Sequence, residues 1–305
     1  TAVCTFLVSE KVGVSFTLTV IMLSVVSFFT MLPICIYGQE RNYHPEKEEE
    51  NFSFMLMFKY LIKNKYLLIF YSGYFFCAAL NTMGAVTLFA SYYLFGSSIF
   101  SLLVGALTIA PSLIIALVLP KINKKIDKFV LLIWCNIISV VLGLITYFVG
   151  YKNVVAFIIL TVLRSAPLSA ASFLNFLFTP DCAEYGQYKT GIDAKGITFA
   201  IQTFSAKITG AISSSLAMFL LGLFKWIPVT ASDFEELQRL NIQQPPEALS
   251  GLWITFILVP TIGTIIGIIL YSFYKLNDKD VQIMAKYNAG EIDRETAESM
   301  LSRKY

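Results

Sequence analysis

Seven apolar stretches, each long enough to cross a bilayer, recur along this chain of 305 residues, at approximately 13–37, 67–93, 99–119, 130–149, 154–178, 197–224 and 251–274. Uninterrupted apolar runs of about 18 residues or more are read as membrane-spanning helices, because at ~1.5 Å per residue they cover ~30 Å of hydrocarbon. Composition agrees: 56% of the residues are hydrophobic and 14% charged, where a soluble domain carries roughly 25% charge. A soluble globular fold is excluded. A transmembrane β-barrel is excluded too, since its strands alternate apolar with polar over about 9 to 11 residues and these runs are continuous. The fold class expected is all-α, a polytopic helical bundle, because helices satisfy their own backbone in lipid.

Basic residues give the orientation, since short Lys- and Arg-rich loops stay cytoplasmic. Segment 39–66 holds Arg41, Lys47, Lys59, Lys63 and Lys65, and loop 120–129 holds Lys121, Lys124, Lys125 and Lys128. Loop 179–196 holds Lys189 and Lys195, and the tail after 274 holds six more. The opposite side has Lys11, Lys152, Lys225 and Arg239. The first span therefore enters from outside and the C-terminal tail is cytoplasmic, in a cell membrane. The chain begins at Thr1, with a short apolar segment at 1–8, which leads to the expectation that it starts partway through a larger membrane protein.

Four regions follow: 1–38, the end of an N-terminal bundle; 39–66, a cytoplasmic inter-bundle loop; 67–274, a six-helix bundle; and 275–305, a cytoplasmic tail. The acidic run at 44–50, with the lone His44, is a solvated connection with no second metal ligand nearby. Five cysteines without a CxxC pair suggest neither a metal site nor a disulfide framework. A net charge of +3, parcelled between the runs, gives no reason to expect nucleic acid as a partner. No nucleophile–base arrangement, phosphate loop or metal spacing points to an enzyme.

A charge at mid-bilayer costs at least ~2.5 kcal/mol, so each one needs a polar cavity or a partner. Two stand deep inside spans. Lys207 shares a helix face with Thr203, Gly210 and Ser214, with Gln202 beside them; this stripe faces a water-filled cavity, or else the lysine snorkels to the interface. Arg164 is either a second cavity residue or a guanidinium tied to carbonyls freed by Pro167. Asn175, downstream in the same span, and Tyr71 in the span 67–93 add hydrogen-bonding groups suited to a sugar, although aromatic side chains at helical spacing also serve packing. The runs contain no Asp or Glu, so this chain cannot by itself supply the intramembrane carboxylate that a cation or proton symporter needs.

The stretch PDCAEYGQYKTGIDAKG, followed by ITFAIQTFSAKITGAISSS, resembles the glycoside-pentoside-hexuronide:cation symporter family of the major facilitator superfamily, typified by melibiose permease. The matching positions are Asp181, Glu184, Tyr185, Gly186, Lys189, Thr190 and Gly191, then Gln202, Thr203 and Lys207; Lys63-Asn64-Lys65, the basic loop at 120–128 and the KLNDKD opening of the tail are similar as well. The resemblance implies the C-terminal six-helix half of a twelve-helix transporter plus one helix of the N-terminal half. It implies a sugar moved with Na⁺ or H⁺ by alternating access, with Lys207 and Thr203 near the sugar and no other cofactor. It also implies a coupling-cation site on N-terminal helices that this chain does not carry. Asp181, Glu184 and Lys189, lying beyond the bilayer, are expected to form a gating loop. Asp193 and Lys195 reverse the family's usual charge order, and are expected to pair mainly with each other or with water.

Two other readings compete. A seven-helix receptor or retinal protein fits the span count, but a retinal Schiff base wants an intramembrane carboxylate. A non-transporting truncated fragment fits the expected absence of the other half.

Overall fold

The computed structural model describes residues 12–38, 54–97, 99–228, 239–240 and 242–305. The acidic run with His44 lies outside them. The described residues form helices and turns, and seven helices are long and apolar enough to cross a membrane. The chain divides into two compact units, one comprising 1–52 and 227–244, the other 53–226 and 245–305. In the first unit, helix α1 (Val12–Tyr37) carries apolar side chains outward along most of its described length, from Leu18 to Tyr37.

The second unit holds the other spans. Helix α2 (Phe54–Lys63) leads into α3 (Lys65–Ala79) and α4 (Met83–Tyr93); then come α5 (Phe100–Asn123), α6 (Lys128–Val149), α7 (Val154–Thr190) and α8 (Lys195–Leu223). The last span consists of α9 (Pro246–Trp253), a π-turn at Ile254–Leu258 and α10 (Val259–Tyr271); helices α11 (Asp278–Asn288) and α12 (Arg294–Met300) follow. Helix α7 packs against α5, α6 and α11, and α3 packs against α8 and α10. The exterior is apolar: Leu117, Trp134, Phe148, Phe176 and Phe204 all point outward. A surface of that kind suits hydrocarbon and would drive aggregation in water.

Four sequence expectations are corrected here. Segment 39–66 contains helix α2, and Asn64 ends it; the Asn64 side chain accepts the Leu67 N–H at 3.1 Å and so caps α3. The span 67–93 is broken at 80–82, where the Thr82 hydroxyl donates to Thr255 O and the Ser213 hydroxyl donates to Asn81 O at 2.7 Å. The last span begins at Pro246 and not at 251, and its π-turn absorbs Pro260, which has no N–H to continue the ladder. Finally, residues 179–190 are helix and not loop, so α7 runs unbroken to Thr190. It stops at Gly191, whose φ of 75° is open to glycine and strained for other residues.

Close helix packing in lipid relies on small residues, because no hydrophobic drive separates helix from tail. Helix α10 supplies Gly263 and Gly267 at i, i+4 towards α3. A Cβ at 267 would strike the Cys77 sulfur and lie 3.1 Å from Gly73 O; one at 263 would lie 2.8 Å from Phe76 O. Neither backbone can retreat without parting the helices. Gly267→Val is therefore expected to cost about 2 kcal/mol by overpacking, read as a lowered melting temperature in detergent; an unchanged value would show that the α3–α10 contact tolerates separation.

Candidate functional site

Three of the six predicted cavity residues meet in one cleft of about 200 Å³ between α3, α7 and α8. Tyr71 comes from α3, Asn175 from α7 and Gln202 from α8, with Tyr74 and Ser172 on the same walls. The Tyr71 hydroxyl and Thr179 Oγ1 are hydrogen-bonded at 2.6 Å, which fixes the ring. Asn175 Oδ1 is buried without a partner. An unpaired buried acceptor is costly, and an incoming hydroxyl would satisfy it. The cleft thus combines an aromatic face, an amide acceptor and an amide donor in a volume of monosaccharide scale.

Thr203 and Lys207 do not line this cleft. With Gly210 and Ser214 they form an exposed stripe on α8, whose neighbours Gln202 and Ala206 do line it. Thr203 and Ser214 hydroxyls donate only to carbonyls of their own helix, Phe199 O and Gly210 O. The Lys207 ammonium joins none of the ion pairs of the described residues.

Arg164 lies elsewhere, in a chamber of about 240 Å³. It is 6% exposed, and its Nη2 donates to Thr261 Oγ1 at 3.2 Å. The bond runs to a hydroxyl of α10, not to a carbonyl freed by Pro167.

Asp181, Glu184 and Lys189, expected to form a gating loop, are joined instead to a folded tail. Lys128, the first residue of α6, lies between two carboxylates, with Nζ 2.5 Å from Asp181 on α7 and 3.0 Å from Asp278 on α11. Backbone bonds reinforce this: Lys128 N–H donates to Asp278 Oδ2 and Asp278 N–H donates to Asp127 Oδ2. Asn288 Nδ2 donates to both the main-chain carbonyl and the carboxylate of Glu184. The Lys189 ammonium donates to the main-chain oxygen of Tyr305 at 2.8 Å. Asp280 is buried within the tail; burial pushes its carboxyl up, but donors from Ser302, Tyr305 and Asn277 outweigh that and hold it below the usual range. Burial, and then the bond to Asp280, pushes the Tyr305 phenol up.

Lys195 makes an ion pair with Glu184 at 3.1 Å, in addition to a 3.4 Å bond from its N–H to Asp193. The expected Asp193–Lys195 side-chain pairing is thus replaced: the lysine sits at the start of α8, facing the last turns of α7, and the nearer acid wins. Sequence reading also missed the bridging role of Lys128, counted as a topology charge and within the family-like loop at 120–128, and the roles of Asp278, Asn288 and Asn64. Asn64 donates to Cys182 O at 2.7 Å, tying α2–α3 to the Asp181 turn. The caps at Asn277 and Asp293 were a readable signal of helices in the tail.

Removing Lys128 would leave Asp181 buried opposite Asp278 with no cation. Lys128→Ala is expected to destabilise the protein by about 3 kcal/mol and to speed protease cleavage of the tail. Adding Asp181→Asn should recover part of the loss; a double variant as weak as the sum of the single ones would deny the coupling.

A family model described as MFS/sugar transport protein matches residues 3–278. Among relatives, the uncharacterized symporter YnaJ of Bacillus subtilis is 26% identical over 184 residues, 60% of this chain and 36% of its own length. The uncharacterized symporter YjmB of the same organism is 25% identical over 243 residues, 79% of this chain and 50% of its own. The isoprimeverose transporter of Lactiplantibacillus pentosus is 22% identical over 223 residues, 72% of this chain and 43% of its own. The chain spans half or less of the length of these curated relatives. Its bundle of apolar helices and the match over residues 3–278 establish that the chain belongs to the sugar-transport family of the major facilitator superfamily.

Proposed function

We propose that this chain is the C-terminal part of a secondary transporter that moves a sugar together with Na⁺ or H⁺ by alternating access. The observation that carries the reading is the cleft in which Tyr71, Asn175 and Gln202 converge around an unsatisfied amide oxygen. Sugars present many hydroxyls and weakly apolar faces, and a site with an aromatic wall and both amide polarities meets both needs. The relatives' names, two symporters and an isoprimeverose transporter, support the class.

The exposed stripe of Thr203, Lys207, Gly210 and Ser214 borders the cleft on α8. In this reading it faces the aqueous cavity between the two halves of a transporter, where a lysine is solvated and no longer carries the cost of mid-membrane burial. The coupling ion binds chiefly on helices of the N-terminal half, outside this chain. The end that bears Asp127 and Gly191 is cytoplasmic, and Asp181, Glu184 and Lys189 act there through the tail. A two-state transporter changes access when contacts at one end form in one state and part in the other.

The test is uptake into proteoliposomes of the complete protein under an imposed Na⁺ or proton gradient, with labelled glycosides and pentosides. Lys207→Ala is expected to abolish accumulation. Asn175→Ala is expected to weaken sugar binding about fivefold, the loss of one neutral hydrogen bond. Gradient-driven uptake at wild-type rates in Lys207→Ala would remove that residue from the mechanism, and full sugar affinity in Asn175→Ala would empty the cleft of its role.

A further inference from the structure

The bundle buries one guanidinium without giving it an acid. Arg164 has a hydrogen bond from Nη2 to the Thr261 hydroxyl, which itself donates to Ile257 O at 2.7 Å. Its Nε is buried with no partner, and no ion pair of the described residues includes it. A guanidinium carries five N–H donors, so one neutral hydroxyl leaves most of its demand unmet.

The head group is held in place. A Cβ at Gly143 of α6 would lie 2.9 Å from Arg164 Cζ and 3.0 Å from its Nη2, so the guanidinium sits in the space that glycine leaves between α6 and α10. Beside it opens the chamber of about 240 Å³, lined by Thr108 and Ser112 of α5, Thr146 of α6, and Thr161, Ser165 and Ser169 of α7. The Ser112 and Ser169 hydroxyls are hydrogen-bonded to each other at 2.7 Å. This chamber and the Tyr71–Asn175–Gln202 cleft have no lining residue in common. Water in the liquid occupies about 30 Å³ per molecule, so the chamber has room for a polyatomic anion together with water.

The lining hydroxyls of Thr108, Ser112, Thr146 and Ser165 already donate to carbonyls of their own helices, so the fixed guanidinium, with its unpartnered Nε–H and no carboxylate among the lining residues, makes one chemical demand. We propose that the Arg164 chamber is an anion site that takes a small oxyanion: a carboxylate, sulfonate or sulfate group. Guanidinium presents parallel N–H groups that match two oxygens of such an anion, and bonds of this kind are about twice as strong as neutral ones. The anion is either the charged group of the transported solute or a free inorganic ion. The first source rests on the transport reading; the second does not.

The purified protein in uncharged detergent provides the test, by thermal unfolding at constant ionic strength with sulfate, D-glucuronate or D-glucose added. Sulfate or glucuronate is expected to raise the melting temperature of the wild type by several degrees. Arg164→Gln should lose that shift, and Arg164→Lys should need about tenfold more anion for the same effect. Thr108→Leu fills the chamber while giving up only a bond to Gly105 O within its own helix, and should lose the shift with Arg164 intact. It decides the matter if the Arg164 variants do not fold. Stabilisation by sulfate alone assigns the site to a free ion; stabilisation by glucuronate that sulfate competes away assigns it to the solute's charged group. Anion shifts that are absent from the wild type, or equal in wild type and Thr108→Leu, would overturn the proposal and make Arg164 a brace between α7 and α10. A failure of glucose to bind the cleft bears on the transport reading alone.

Discussion

Helix α7 is the constraint on which the rest of the second unit depends. Its 37 residues reach about 55 Å, well beyond the ~30 Å of hydrocarbon, and along that length it meets every functional feature except the α8 stripe. Arg164 and Ser169 line the chamber beside α5, Asn175 the cleft, Asp181 the Lys128 bridge, and Glu184 and Lys189 meet the tail. Two prolines lie inside it, Pro167 and Pro180, and each removes one N–H from the helix ladder. The helix persists because neighbours pack against both regions: Ser169, two residues after the first proline, bonds Ser112, and Thr179, beside the second, bonds Tyr71.

Charge follows the depth of that helix. At the end bearing Asp127, cations and anions alternate across α6, α7 and α11, and the partly buried Lys128 is flanked by two acids. A pair enclosed in that way contributes specificity of docking as much as stability, since the attraction is offset by lost hydration. Towards the middle of the bundle the pattern reverses. Arg164 has a hydroxyl, and Lys207 stands on an open face. Among the described residues neither cation pairs with an acid, so hydration or a ligand has to offset the charge.

How much of this was legible in the sequence varied with the physical origin of each feature. The spans were, because hydropathy over 20 residues is a sum and local errors average out; all seven membrane-length helices fall on the predicted runs. The break at Leu80–Thr82 was not, since Asn81 and Thr82 are compatible with a helix, and what ends α3 is the tertiary pair of bonds to Ser213 and Thr255 O. The extension of α7 to Thr190 was hidden by its polar residues, which read as a loop when hydropathy is the only guide. Gly191 marked the true end. Of the site, spacing alone grouped Thr203 and Lys207 on one face of α8, but only the fold brings Tyr71 and Asn175, more than a hundred positions apart, to one cleft and sends Arg164 to another.

Under the proposed function, that separation bears on which solutes the two cavities would accept. A neutral sugar can satisfy Asn175 and Gln202 with hydroxyls and has nothing to offer a guanidinium. An anionic one has. Leaving a buried cation unpaired costs more than leaving a neutral amide unpaired, so under the proposed reading the chamber would favour an anion and the cleft a solute rich in hydroxyls. The two are joined through α7, where Arg164 and Asn175 stand eleven residues apart, about 16 Å along the axis. At that spacing one monosaccharide does not touch both, so a substitution at Arg164 is expected to change anion binding while the preference of the Asn175 cleft persists.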